Sequence, residues 1–248
     1  MVAGSRGEVK PLYVIEHWQI AEPDAGRQHL IAQGYDVRVV EPWKGETLPA
    51  LIGDEAGVMV MGGPQMISEA TASNNAFLLD ELKFIEDAMD KQIPLVGVCL
   101  GSQMIATAMG AKVSYRDDGA MAMGFYAIDA KPEGKAIGLA DDMMVLNGNS
   151  QTWTLPAGAQ LLATAQADNP HINQAFRADK TLALQFHPEV TRPILTQWQS
   201  EFGEYIGRPG TQSKDQQNAG FEAYDAKLKA WYRNVLDDWF KGHAHLAT

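Results

Sequence analysis

The chain is poor in cysteine: its 248 residues contain one, Cys99, so no disulfide can form within it. A lone thiol reads as a protein of the reducing cytoplasm, or as a reactive group. Long hydrophobic runs are also missing. No stretch approaches the roughly 20 apolar residues that cross a bilayer as a helix, so no membrane-spanning helix is expected. The opening MVAGSRGEVK has no apolar core of the kind a secretory signal needs. Positive charge is scarce. Twenty Lys and Arg face 31 Asp and Glu, a net charge of −11, and no basic cluster overrides it. Such a surface repels nucleic-acid phosphates. The six histidines are scattered. The nearest pair, His243 and His245 in KGHAHLAT, reads as a terminal tail rather than a metal site, and no cofactor is called for.

What is present is a strand–helix alternation. PLYVIEHW (11–18), DVRVVEP (36–42), GVMVMGGP (57–64) and IPLVGVC (93–99) are apolar without alternation, as in strands covered on both faces. Between them, DAGRQHLIAQG (24–34) reads as a helix opening on an Asp cap and stopping at Gly34. NNAFLLDELKFIEDAMD (74–90) places Leu78, Leu82, Ile85 and Met89 on one helical face. This order predicts an α/β fold: an open, mostly parallel sheet with helices on both faces.

After Met109 the pattern shortens. Strands are expected over 123–130, 142–149, 160–166, 172–178 and 181–190, with turns at KPEG, LPAG and ADN. They form a smaller antiparallel extension, within the same sheet or beside it. Helix returns at 192–206, and GRPGTQSK (207–214) reads as a surface linker. The last helix, 221–240, carries Phe221, Tyr224, Leu228, Trp231, Val235 and Trp239 at helical spacing, a cover for the core or for a partner. Residues 1–206 are thus expected to form the main domain, and 207–248 a linker and covering helix. The methionine pairs Met121/Met123 and Met143/Met144 read as core filler.

Gly97-Val98-Cys99-Leu100-Gly101 has the G-x-C-x-G form of a nucleophile elbow with sulfur in place of oxygen. The flanking glycines permit a tight strand-to-helix turn, and the helix N-terminus favours thiolate. The N–H of Leu100 is placed to donate to an oxyanion. A thiolate nucleophile needs a base, which His187 supplies, and Glu189, two residues on in an extended segment, can orient that ring. Gly62-Gly63-Pro64 ends the third strand, where a backbone N–H can turn toward a neighbouring strand's site.

MGGPQ (61–65), GVCLGSQMIATAMG (97–110) and NQAFRADKTLALQFHPEVT (173–191), with Cys and His 88 positions apart (187 − 99), resemble the class I, triad-type glutamine amidotransferases. The likeness is to stand-alone members akin to the glutaminase domain of GMP synthase; no ATP-pyrophosphatase pattern is read in the chain. The resemblance implies a flavodoxin-like glutaminase fold and a set of roles. Cys99 attacks the glutamine carboxamide to form a γ-glutamyl thioester, His187 relays the proton, and Glu189 orients His187. Gly63 and Leu100 form the oxyanion hole, while Gly62 and Gln103 contact substrate. It further implies ammonia release to an acceptor or partner synthetase; a homo-oligomer is a separate expectation, left open by the sequence. Relatives carry a His-Gly-Asp-type stretch where this chain has Asn147-Gly148-Asn149-Ser150. That change opens a second substrate reading, another γ-glutamyl amide or peptide, unless the asparagines are plain turn residues. A third reading is a non-catalytic regulatory subunit with the same fold.

Overall fold

The computed structural model describes residues 10–241. The readings made on the N-terminal segment and on His243 and His245 lie outside them.

The parallel half is built as the apolar runs predict. Strands β1 (Pro11–Ile15), β2 (Asp36–Val40), β3 (Gly57–Val60) and β4 (Leu95–Val98) alternate with helices α1 (Ala25–Ala32) and α2 (Phe77–Asp90). Every residue of β3 and β4 is buried. Asp24 caps α1, accepting the N–H groups of Gly26 and Arg27 at 2.9 and 3.0 Å. Helix α3 (Leu100–Ala108) follows β4 directly.

The remaining elements are β5 (Val113–Tyr115), β6 (Ala122–Ala130), α4 (Pro132–Ala136), β7 (Met143–Asn149), β8 (Gln151–Trp153), β9 (Gln160–Ala165), β10 (Asn173–Ala178), β11 (Thr181–Leu184), α5 (Arg192–Glu201) and α6 (Lys214–Trp239). A nine-stranded sheet runs β2-β1-β3-β4-β11-β10-β9-β6-β7, and β5 pairs with β8 in a two-stranded sheet. Strands β2, β1, β3, β4 and β11 are mutually parallel. Strands β10, β9, β6 and β7 continue the same sheet in antiparallel pairing.

Three boundaries differ from the sequence reading. β11 ends at Leu184, so His187 lies beyond the strand, and β11 pairs in parallel with β4 rather than only with its antiparallel neighbour. The stretch 192–206 is a helix to Glu201 and then a short 3-10 turn, Gly203–Tyr205. α6 starts at Lys214, not near 221, because Ser213 and Gln216 close a reciprocal capping box. Its buried stripe includes Leu228, Trp231, Tyr232, Val235 and Leu236, packed into the same core cluster as β1, β3, β4 and β7. Tyr224, placed on that stripe by its spacing, is exposed.

Candidate active site

Register places the site. Ile15 pairs with Val60, Val60 with Gly97, and Val98 with Leu184. The next residues of four adjacent parallel strands therefore emerge along one carboxyl rim: Glu16, Met61, Cys99 and Gln185. This rim is where open α/β sheets bind ligands.

Cys99 sits at the junction of β4 and α3 with φ 50° and ψ −106°, a left-handed conformation rare for a residue with a side chain. Its N–H donates to Leu184 O at 2.7 Å, fixing the strained residue to β11. The flanking glycines are sterically required. A Cβ on Gly101 would lie 1.9 Å from Val60 O, and one on Gly97 would lie 2.7 Å from the Gly101 backbone. α3 thus begins pressed against β3 and β4, as a sharp elbow demands. Leu100 is the first helical residue, so its N–H has no intrahelical acceptor. Among the described residues, the N–H of Gly63 also has no hydrogen-bond partner.

His187 and Glu189 are both buried, and Nδ1 of the ring meets Glu189 Oε1 at 2.7 Å. The i, i+2 pairing inferred from an extended segment holds even though the strand has ended. Gly62 lies between the two reactive side chains: a Cβ there would be 2.9 Å from His187 Cε1 and 3.5 Å from Cys99 Cβ. Among the described residues, His187 Nε2 has no hydrogen-bond partner. Burial opposes charge on this ring, but the carboxylate of Glu189 and the sulfur of Cys99 outweigh it and raise the imidazole well above its usual range. The Trp198 indole packs edge-on against the ring, centroids 4.6 Å apart. The structure therefore brings Cys99, Gly62, Gly63, Leu100, His187 and Glu189 to one place.

Gln103 also lines the cavity, but its amide nitrogen is already engaged, donating to Gln151 O at 3.1 Å and Gln185 Oε1 at 3.3 Å. The asparagines are not turn residues. Both are buried in β7, where Asn147 Nδ2 donates to Gln174 Oε1 at 3.0 Å and Asn149 Nδ2 to Gln151 O at 2.9 Å. Between them, Gly148 O lies 3.8 Å from the Cys99 sulfur.

The sequence reading missed a carboxylate group behind Glu189. Glu16 and Asp24 are almost fully buried and share the Arg27 guanidinium at 3.2 and 3.6 Å, ion-pair distances without hydrogen-bond geometry. Burial raises Glu16 to about 7 and Asp24 to about 6, against the opposing pull of Arg27. The N–H of Ala25 donates to Glu189 O at 2.9 Å, tying α1 to the histidine segment. It also missed His17, fully buried against Glu81 at 2.8 Å, whose backbone oxygen accepts from Gln65 Nε2 at 2.8 Å. These contacts fasten the turn that carries Gly62 and Gly63. The available signal was position: Glu16 and His17 are the first polar residues after the apolar run of β1.

An open α/β sheet with an elbow cysteine at its carboxyl rim is a hydrolase-type architecture. Residues 25–196 match the family model of class-I glutamine amidotransferases, and the chain belongs to that family. Among curated relatives it is 30% identical over 149 residues to a GMP synthase [glutamine-hydrolyzing] of Pseudomonas aeruginosa, covering 54% of this chain and 25% of that one. It is 30% identical over 152 residues to the corresponding protein of Campylobacter lari, covering 60% and 26%. The chain thus spans about a quarter of the length of these relatives. Two solved structures share the fold at 24% identity. A glutamine amidotransferase from Methylobacillus flagellatus has a TM-score of 0.85, covering 97% of this chain and 98% of that one. One from Thermotoga maritima has a TM-score of 0.82, covering 95% and 100%. Among the described residues no helix is long and apolar enough to cross a membrane.

Proposed function

We propose that this protein cleaves the γ-amide of a glutamine moiety through Cys99, His187 and Glu189. The observation that carries the reading is the strained placement of Cys99 on the cavity wall beside an imidazole whose far nitrogen is held by a buried carboxylate. The sulfur attacks the amide carbon, and the oxyanion takes hydrogen bonds from Leu100 and Gly63. The C–N bond breaks as the thiol proton, relayed by His187, leaves with the nitrogen. Water then attacks the γ-glutamyl thioester, with His187 as base, and glutamate departs. Gly62 keeps the space between sulfur and imidazole open for the amide, and Gln103, on the cavity wall, contacts the bound amino acid.

The family membership supports ammonia from glutamine as one product, delivered to an acceptor or a partner synthetase. The lone reduced thiol agrees with a cytoplasmic setting. In this reading the main domain runs to residue 206 and α6 packs on that same domain, which its residues in the shared core cluster support.

The test is release of glutamate from a γ-glutamyl amide. Turnover is expected to vanish in Cys99→Ala, and Cys99 is expected to alkylate rapidly at neutral pH. Turnover that survives the alanine change removes the nucleophile assignment.

A further inference from the structure

The cavity above Cys99 has a volume of about 440 Å³. Free glutamine has about ten non-hydrogen atoms. Even at water's liquid share of about 30 Å³ each, it fills only about 300 Å³. The remaining space has a definite chemistry. Ammonia, the leaving group of free glutamine, is small and polar and needs no apolar wall. Yet the wall beside the imidazole is aromatic. Trp198 stands edge-on to His187. Phe202, one helical turn further along, packs on Trp18 with centroids 5.4 Å apart and on Tyr205 at 6.5 Å. Met121 and Met123, read from the sequence as core filler, line the same cavity. Arg208 also lines the cavity, its guanidinium over the Tyr205 ring at 4.5 Å, and it forms no ion pair with a carboxylate among the described residues.

Geometry assigns this wall to one side of the substrate. The departing nitrogen must receive its proton from His187, so it sits next to that ring. Whatever the nitrogen carries then extends past His187 along Trp198 and Phe202 toward Arg208. We propose that the preferred substrate is a γ-glutamyl amide whose nitrogen belongs to a bulky apolar amino acid, with the aromatic wall taking its side chain and Arg208 its carboxylate. The proposal rests on the Cys99 chemistry given above. The Cys99 sulfur–carbon bond forms, the amide C–N bond breaks, and the amino acid leaves on nitrogen with the thiol proton. Water then supplies hydroxyl to the acyl carbon and returns a proton to sulfur. The products are glutamate and the free apolar amino acid.

The experiment is a comparison of kcat/KM on the wild-type protein for free glutamine, γ-glutamylphenylalanine and γ-glutamylanilide. γ-Glutamylphenylalanine is expected to exceed glutamine by at least about tenfold, the scale on which apolar pockets discriminate. Phe202→Ser is expected to shrink that ratio. Arg208→Gln is expected to lower the preference for γ-glutamylphenylalanine over the anilide, whose leaving group has no carboxylate. Glutamine turned over as well as or better than γ-glutamylphenylalanine overturns the substrate assignment and leaves the Cys99 reading standing. Absence of Cys99-dependent turnover on all three overturns both. A preference unchanged by Arg208→Gln removes the carboxylate contact.

Discussion

At the scale of single residues, the decisive feature is a histidine whose two nitrogens have different neighbours. Nδ1 is bonded to Glu189 inside the protein, while Nε2 has no partner among the described residues. The carboxylate fixes the ring's tautomer and orientation, and removing its charge without its shape should cost rate rather than binding. Glu189→Gln is expected to lower kcat by about 10²–10⁴-fold, the range seen when an orienting carboxylate is neutralised, with KM little changed. Steady-state kinetics on the variant check this. Cys99, His187 and Glu189 were all legible in the sequence because each sits in a short motif with a steric or hydrogen-bonding reason for its spacing. Glycines at both sides of Cys99 and the two-residue step from His187 to Glu189 survive any detail of packing. The Glu16–Asp24–Arg27 group was not legible, because burial alone makes those charges unusual, and burial is a property of the assembled sheet.

At the scale of elements, apolar runs without alternation located the parallel strands to within a few residues, since strands covered on both faces need nothing polar. The ends were less legible. β11 stops at Leu184, where the apolar run gives way to Gln185 and then His187, and the chain leaves the sheet to carry His187 over the rim. The substrate wall was hidden for a different reason: Trp18, Met121, Met123, Trp198 and Phe202 come from three separate segments, and no local spacing joins them. Helix α6 was recognised by its stripe, but its capping box extends it seven residues earlier than the stripe begins (221 − 214). That helix is part of the core. Trp231 is buried against Phe186 at 5.7 Å between centroids and donates through Nε1 to Ile137 O at 2.9 Å. Trp231→Ala is expected to cost about 3–5 kcal/mol of stability, read as a lowered urea midpoint.

At the scale of the whole molecule, the buried carboxylates set an uncommon pH response. Asp24 is raised from 3.8 to about 6 and Glu16 from 4.5 to about 7. The folded protein therefore holds protons that the unfolded chain has released between about pH 4 and 7. Stability from these two groups is fully present below about pH 4 and is lost as pH rises through 6 and 7. Asp24→Asn keeps the α1 cap, since Asn caps as well as Asp, and removes one of the two protons. Urea midpoints measured from pH 4 to 8 are expected to fall less steeply in the variant, by on the order of 2–3 kcal/mol across the window. A parallel decline in both proteins would assign the effect elsewhere.

The segment between the last turn of the pocket and α6 is stitched to the sheet. Gln212 Nε2 donates to Phe125 O at 2.6 Å and its Oε1 accepts from Phe125 N at 2.9 Å, while the Tyr126 hydroxyl donates to Gly210 O. Arg208 and Tyr205 hang from this seam. Replacing Arg208 alone would leave Cys99, His187 and Glu189 in place and still change which molecules are processed, so selectivity and reactivity are carried by different residues of one cavity. An Arg208→Gln form that still alkylated at Cys99 but no longer favoured γ-glutamylphenylalanine would display that division directly.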